Sequence, residues 1–136
     1  MYRCLEGRKG LKWSPKLYIE VAVGTAKNRL DAFKCKANVI VTNYDNLLWL
    51  CREHPELLKF DGIVFDELTR LKNPSGSRFK ALFKVIDLFK IRWGLTGSFT
   101  SNGLEDVFGQ CKVVDQTLLG RSKGAFLEKY FVLMNR

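Results

Sequence analysis

Asp66 and Glu67 end an apolar run in "DGIVFDELTRLKNP" (residues 61–74), and a later apolar run ends in the hydroxyl-bearing "LTGS" (95–98). Two adjacent carboxylates at the tip of a buried strand are costly unless they hold something, usually a metal ion. One acid can hold Mg²⁺ through water while its neighbour orients or deprotonates an attacking water. That pairing belongs to nucleotide hydrolysis, and its usual companion is a G-x-x-x-x-G-K-[ST] loop that cradles the phosphates. No such loop occurs in the 136 residues, and the nearest glycines, in "EGRKGLKW" (6–13), have neither its spacing nor a preceding strand. The bland alternative for the acidic pair alone is a turn or helix-capping position.

For the acids and the hydroxyls to act together, their strands must end at one edge. In an open parallel sheet, ligands bind at the carboxyl ends of the strands. The chain pattern fits that arrangement. "KLYIEVAVG" (16–24) predicts a strand ending at Gly24, and Thr25 can cap a helix with Ala26, Leu30, Phe33 and Ala37 on one face. "NVIVT" (38–42) is a second strand, followed by a helix with Tyr44, Leu47, Leu48 and Cys51 inward, stopped by His54-Pro55. "DGIVF" (61–65) is the third strand. A helix over 77–90 then groups Phe79, Leu82, Phe83, Ile86 and Phe89, and "IRWGLTG" (91–97) is the fourth strand. Helices follow over about 104–110 and 122–131. Strands alternating with helices imply an α/β fold: a three-layer parallel sheet flanked by helices.

The size and composition suit one domain with a core, at 46% apolar residues and 27% charged. No apolar stretch approaches the length of a membrane span, and the first residues lack a signal-peptide core. Cys4, Cys35, Cys51 and Cys111 are far apart and His54 is the one histidine, so thiols in a reducing compartment are expected, with no zinc site. The expected location is intracellular, in the cytoplasm of a bacterial or phage-infected host. The net charge is +9 and it is unevenly spread. Residues 1–36 carry nine basic and three acidic groups, residues 37–69 two and six, and residues 70–92 seven and one. An acidic block between basic ones suggests a metal–anion site beside a surface for a polyanion. A solvated basic face without a partner is the competing account.

"VFDELTRLKN" (64–73) and "GLTGSFTSNGLEDVFGQ" (94–110) resemble motifs II and III of superfamily-two helicases. The closer resemblance is to Swi/Snf-like helicases of phages and bacteria, where the motifs read approximately DE-x-x-x-x-KN and LTGTP-x-x-N. "VIVTNYDNLLWL" (39–50) and "VAVGTAKNRLDAF" (21–33) fit the segments that precede them, so the resemblance runs from about Lys16 to Tyr130. Two departures stand out. Ser98-Phe99 replaces Thr-Pro, and the acidic box lacks the ending of the DEAD and DEAH groups.

The resemblance implies a partial RecA-like first motor domain of the P-loop NTPase type over 16–136, after an irregular segment over 1–15. It implies Asp66 as the Mg²⁺-linked acid, Glu67 as the catalytic base, and Thr96, Gly97 and Ser98 as the motif coupling nucleotide state to the nucleic-acid path. Thr42, Asn43, Lys72, Asn73 and Arg78 become expected nucleic-acid contacts, although Thr42 and Asn43 equally suit helix caps and Tyr44 suits packing. ATP and Mg²⁺ are the family's cofactors, and none is expected on this chain alone, which is expected to be catalytically inactive. The expected partners are DNA, bound weakly and without sequence preference, and either a second polypeptide carrying the phosphate loop or another copy of the chain. Met1 is expected to fall after the loop, and the second motor domain is expected to be missing as well. A stand-alone nucleic-acid-binding or regulatory module and one half of a split motor are the alternatives.

Overall fold

The computed structural model describes residues 17–100, 103–132 and 134. The expected irregular segment over 1–15 lies outside them. The chain divides into two compact units, residues 1–50 and 51–136.

In the first unit, β1 (Ile19–Val21) is followed by α1 (Ala26–Lys34), β2 (Val39–Val41) and the start of α2 (Tyr44–Glu53). Thr25 caps α1 as its position predicts: its hydroxyl accepts from the Asn28 amide at 3.2 Å. β1 and β2 pair in parallel, with Ile19 opposite Val39 and Val21 opposite Val41. Asn38 closes the start of the pair by accepting the Tyr18 amide at 2.9 Å. Asn43 accepts from the Asn46 amide at 3.0 Å and so caps α2.

In the second unit, β3 (Gly62–Asp66) and β4 (Ile91–Leu95) are parallel neighbours, joined through α3 (Ser77–Phe83). α4 (Val107–Val114) and α5 (Lys123–Tyr130) complete it. The strands are therefore parallel and interleaved with helices. Among the described residues they form two hydrogen-bonded pairs, β1–β2 and β3–β4.

The predicted 77–90 helix is divided. α3 stops at Phe83, and a 3₁₀ turn over Ile86–Leu88 carries the chain into β4. Tighter winding at a helix end is a common connector, and here it places both Ile86 and Phe89 in the core while Leu88 stays exposed. Leu58, Phe65, Leu68, Leu71, Phe79, Leu82, Phe108, Val113 and Phe126 are the other large buried apolar groups of this unit. Two glycines mark close approaches. A Cβ on Gly94 would collide with the Leu68 side chain, and one on Gly109 with the Lys72 carbonyl. α4 thus lies against the turn that follows β3, with no room for a side chain between them.

Beyond α4, one amine orders a loop. Lys112 Nζ donates to the carbonyls of Gln116, Gly120 and Arg121 at 3.2, 2.8 and 3.1 Å.

Cys51 and Cys111 are free thiols, but Cys35 is disulfide-bonded, which corrects the expectation of thiols throughout. Distance in sequence was no obstacle, because a disulfide needs only two Cβ atoms about 4 Å apart in space. Among the described residues no helix is long and apolar enough to cross a membrane.

Candidate active site

The β3–β4 register decides the geometry. Asp66 is paired with Leu95, so Glu67 and Thr96 leave the two strand ends side by side. Both acids are exposed at this edge. Glu67 adopts a left-handed backbone conformation, φ 59°, the one residue other than glycine with positive φ among those described. The reversal lets Leu68 turn directly inward, where it fills the space that Gly94 leaves open. Left-handed geometry costs a residue with a Cβ about 1–2 kcal/mol, so the core contact of Leu68 is what holds Glu67 there.

The Glu67 carboxylate meets two hydroxyls. Thr69 Oγ1 donates to its Oε1 at 2.6 Å, and Thr96 Oγ1 lies 3.5 Å from the same oxygen. The Thr96 hydroxyl also stands 3.2 Å from the Ser98 carbonyl and accepts from the Ser98 amide at 3.3 Å. A hydroxyl has one proton to give, so Thr96 can donate to Glu67 or to Ser98, but not to both. Gly97 and Ser98 are exposed, and a Cβ at Gly97 would touch nothing. Just beyond, the fully buried Gln110 donates its Nε2 to the carbonyls of Phe99 and Asp106 at 2.9 and 3.0 Å. The loop after Ser98 is pinned there.

The other expected contacts have structural partners. Lys72 Nζ pairs with the buried Asp106 carboxylate at 3.2 Å. Asn73 Oδ1 accepts from the Ser75 amide and hydroxyl at 3.0 and 2.6 Å, an Asx-type turn leading into α3. Arg78 sits half-buried in the first turn of α3. Thr42 and Asn43 belong to the first unit. There the Thr42 hydroxyl donates to the Ala22 carbonyl at 2.7 Å, and Asn46 Nδ2 reaches both groups at 3.2 and 3.3 Å. Asn46 also accepts from Arg29, whose guanidinium lies 4.1 Å above the Trp49 ring.

Sequence reasoning missed Thr69, Asp106, Gln110 and Asn46. For Thr69 a signal existed: a hydroxyl two residues after an acid is within reach of it in a tight turn. The others act across distances in sequence that no local pattern reports.

The SNF2-related domain profile matches residues 10–130. The chain belongs to the SNF2-related family. Protein p41 of Acyrthosiphon pisum secondary endosymbiont phage 1 is 42% identical over 132 residues, covering 90% of this chain and 29% of the relative. DNA excision repair protein ERCC-6-like 2 of Mus musculus is 34% identical over 80 residues, 59% of this chain and 5% of that protein. The Sulfolobus solfataricus SWI2/SNF2 ATPase core, solved in complex with dsDNA, superposes with a TM-score of 0.54 at 23% identity, covering 82% of this chain and 27% of that one. The fold of this SNF2-related chain is accordingly the α/β, RecA-like fold of an SNF2 ATPase core. It spans less than a third of the length of each of these proteins.

Proposed function

We propose that this SNF2-related chain is part of the first motor domain of an ATP-dependent DNA translocase. Asp66 is the Mg²⁺-linked acid and Glu67 the base that orients and deprotonates the attacking water. The observation that carries this reading is the convergence at the β3 and β4 ends, where Thr96 Oγ1 stands 3.5 Å from Glu67 Oε1. Among the described residues no three metal-ligating side chains cluster. Mg²⁺ arriving with a nucleotide would take one carboxylate and complete its shell with phosphate oxygens and water. The ion would supply charge neutralisation at the phosphates. Glu67 is aimed by Thr69 from its own turn, and Thr96 links it to the 96–98 loop. When the Thr96 proton shifts from Glu67 to the Ser98 carbonyl, the loop and the base are uncoupled, and this gives nucleotide state a route to the loop.

Duplex DNA as the partner is supported by likeness to the archaeal core, and by seven basic groups against one acid over residues 70–92. Such contacts hold phosphates and give affinity without reading sequence.

The test is ATP turnover. The 136 residues contain no phosphate loop, so the chain alone should hydrolyse nothing above background, with or without DNA. Combined with a polypeptide that carries the loop and the second motor domain, it should show DNA-stimulated turnover. Glu67→Gln should lower that turnover at least a hundredfold while nucleotide binding persists. Turnover indifferent to Glu67→Gln would remove Glu67 from the chemistry.

A further inference from the structure

A recess of about 600 Å³ opens in the second unit between the last turn of α2 and α3. Asp66, Glu67 and Thr96 take no part in its walls. Its inner surface is apolar. Cys51, Phe79 and Ala81 are buried there, and the half-buried Phe83 stacks on Phe79 with ring centroids 5.6 Å apart. Its rim is cationic. Arg52 comes from the last turn of α2, while Lys80 and Lys84 stand one helical turn apart on α3 and its C-cap. All three are exposed, and no carboxylate lines the recess. Among the described residues none of the three has an ion-pair partner. Cations at helix C-termini complement the helix dipole, which accounts for their sign but not for the apolar hollow they surround. Hollows of this size, apolar within and carrying a few charges, are where ligands seat.

Charge selects among the occupants. Residues 1–16 carry five basic groups and one acid, and a second copy carries +9, so both are disfavoured beside three cations. Duplex DNA has the right sign, but its phosphates offer no apolar group to fill the hollow. Single strands bind by stacking bases on open aromatic faces. Here Phe79 is buried and takes up one face of Phe83. An acidic peptide with one large apolar side chain matches the rim and the hollow together.

We propose that this recess docks an acidic segment of a partner polypeptide. One aromatic or aliphatic side chain of that segment sits against Phe79, Ala81 and Phe83. Carboxylates flanking it meet Arg52 on one side and the Lys80–Lys84 pair on the other. Burial of the anchor supplies the affinity, and the charges select the partner.

The probe is a short synthetic peptide with a central Leu-Phe pair between runs of glutamate, titrated calorimetrically into the full chain. One-to-one binding is expected, weakening as salt is added. Peptides with Ala-Ala for Leu-Phe, or with glutamine for every glutamate, should each bind about tenfold more weakly. Lys80→Glu combined with Lys84→Glu, at exposed sites, should also lower affinity about tenfold with unchanged circular dichroism. Arg52→Glu should act in the same direction from the α2 side. Absence of binding, or binding indifferent to all three charge reversals, would mean that the recess is not the seat. Equal binding of the Ala-Ala peptide would reduce the site to a basic surface without an anchor pocket. Displacement of the peptide by duplex DNA, or tighter binding of an oligothymidylate, would assign the recess to nucleic acid. Self-association without peptide that Lys84→Glu abolishes would make a second copy the occupant. ATP enters none of these measurements, so the hydrolase reading stands or falls separately.

Discussion

Glu67 combines a proposed chemical role with an unfavourable backbone, φ 59°. Glycine at that position removes the steric cost and alanine does not, so Glu67→Gly should be more stable than Glu67→Ala by about 1 kcal/mol in urea unfolding. Equal stabilities would mean that the turn relaxes when the carboxylate is gone. Lys72 and Arg78 looked equivalent in sequence, two cations after the acidic box. The structure separates them, since Lys72 is tied to the buried Asp106. Lys72→Ala should therefore cost about 1–3 kcal/mol of stability by depriving a buried carboxylate of its ammonium. Arg78→Ala should lower the slope of log K for DNA against log salt by about one. A salt slope that responds to Lys72→Ala alone, at unchanged stability, would reverse these assignments. The convergence of Asp66, Glu67 and Thr96 was legible because strand ends in a parallel sheet share an edge. The Lys72–Asp106 pair was not, because its members are 34 positions apart and charge alone does not report pairing.

Element boundaries were legible where a side chain sets them locally. Thr25 starts α1 by capping it, and Pro55 follows α2 by two residues. They were not legible where packing decides. The stripe from Phe79 to Phe89 fits a continuous helix, yet the chain changes winding after Phe83 to enter β4. α4 was expected to end near Gln110 and continues to Val114, with Gly109 inside it. That glycine reads as a weak point in a helix, but it serves the packing of α4 on the Lys72 carbonyl. Gly109→Ala should improve helix propensity and still lower stability by about 2–4 kcal/mol, since the added methyl meets backbone. Gly94→Ala should be milder, because the end of a leucine side chain can move, and Leu68→Ala should partly rescue it. Calorimetry on the three variants would distinguish the cases, and a neutral Gly109→Ala would show that α4 is free to shift.

At the scale of the whole molecule, stability should depend on pH in the alkaline range through the free thiols Cys51 and Cys111, both pushed up by burial. Burial pushes Cys51 up to about 11, against 9.0 for an unperturbed thiol. The unfolded chain thus releases this proton from about pH 9 while the folded chain retains it, so folding binds a proton across that window. Stability from this group is complete below pH 9 and declines as pH rises toward 11. Cys51→Ala should flatten that decline, and a denaturation midpoint measured from pH 8 to 11 would show it. An identical alkaline slope in the variant would assign the loss to other groups. In the native chain below pH 9, Cys51 should also resist thiol reagents that the unfolded chain consumes at once. The net charge of +9 acts at the same scale. It keeps copies of the chain apart at low salt even with apolar strand faces open, so any self-association should strengthen as salt is added.

Lys112, whose ammonium is shared among three carbonyls after α4, works as a cation built into the chain. Loops of this kind elsewhere are gathered around calcium and open when a chelator removes it. Here the ion is covalently tethered, so EDTA should leave the 116–121 loop closed. Acetylation of this single amine would unfasten it, making the loop answerable to an acetyl donor and indifferent to the concentration of any metal.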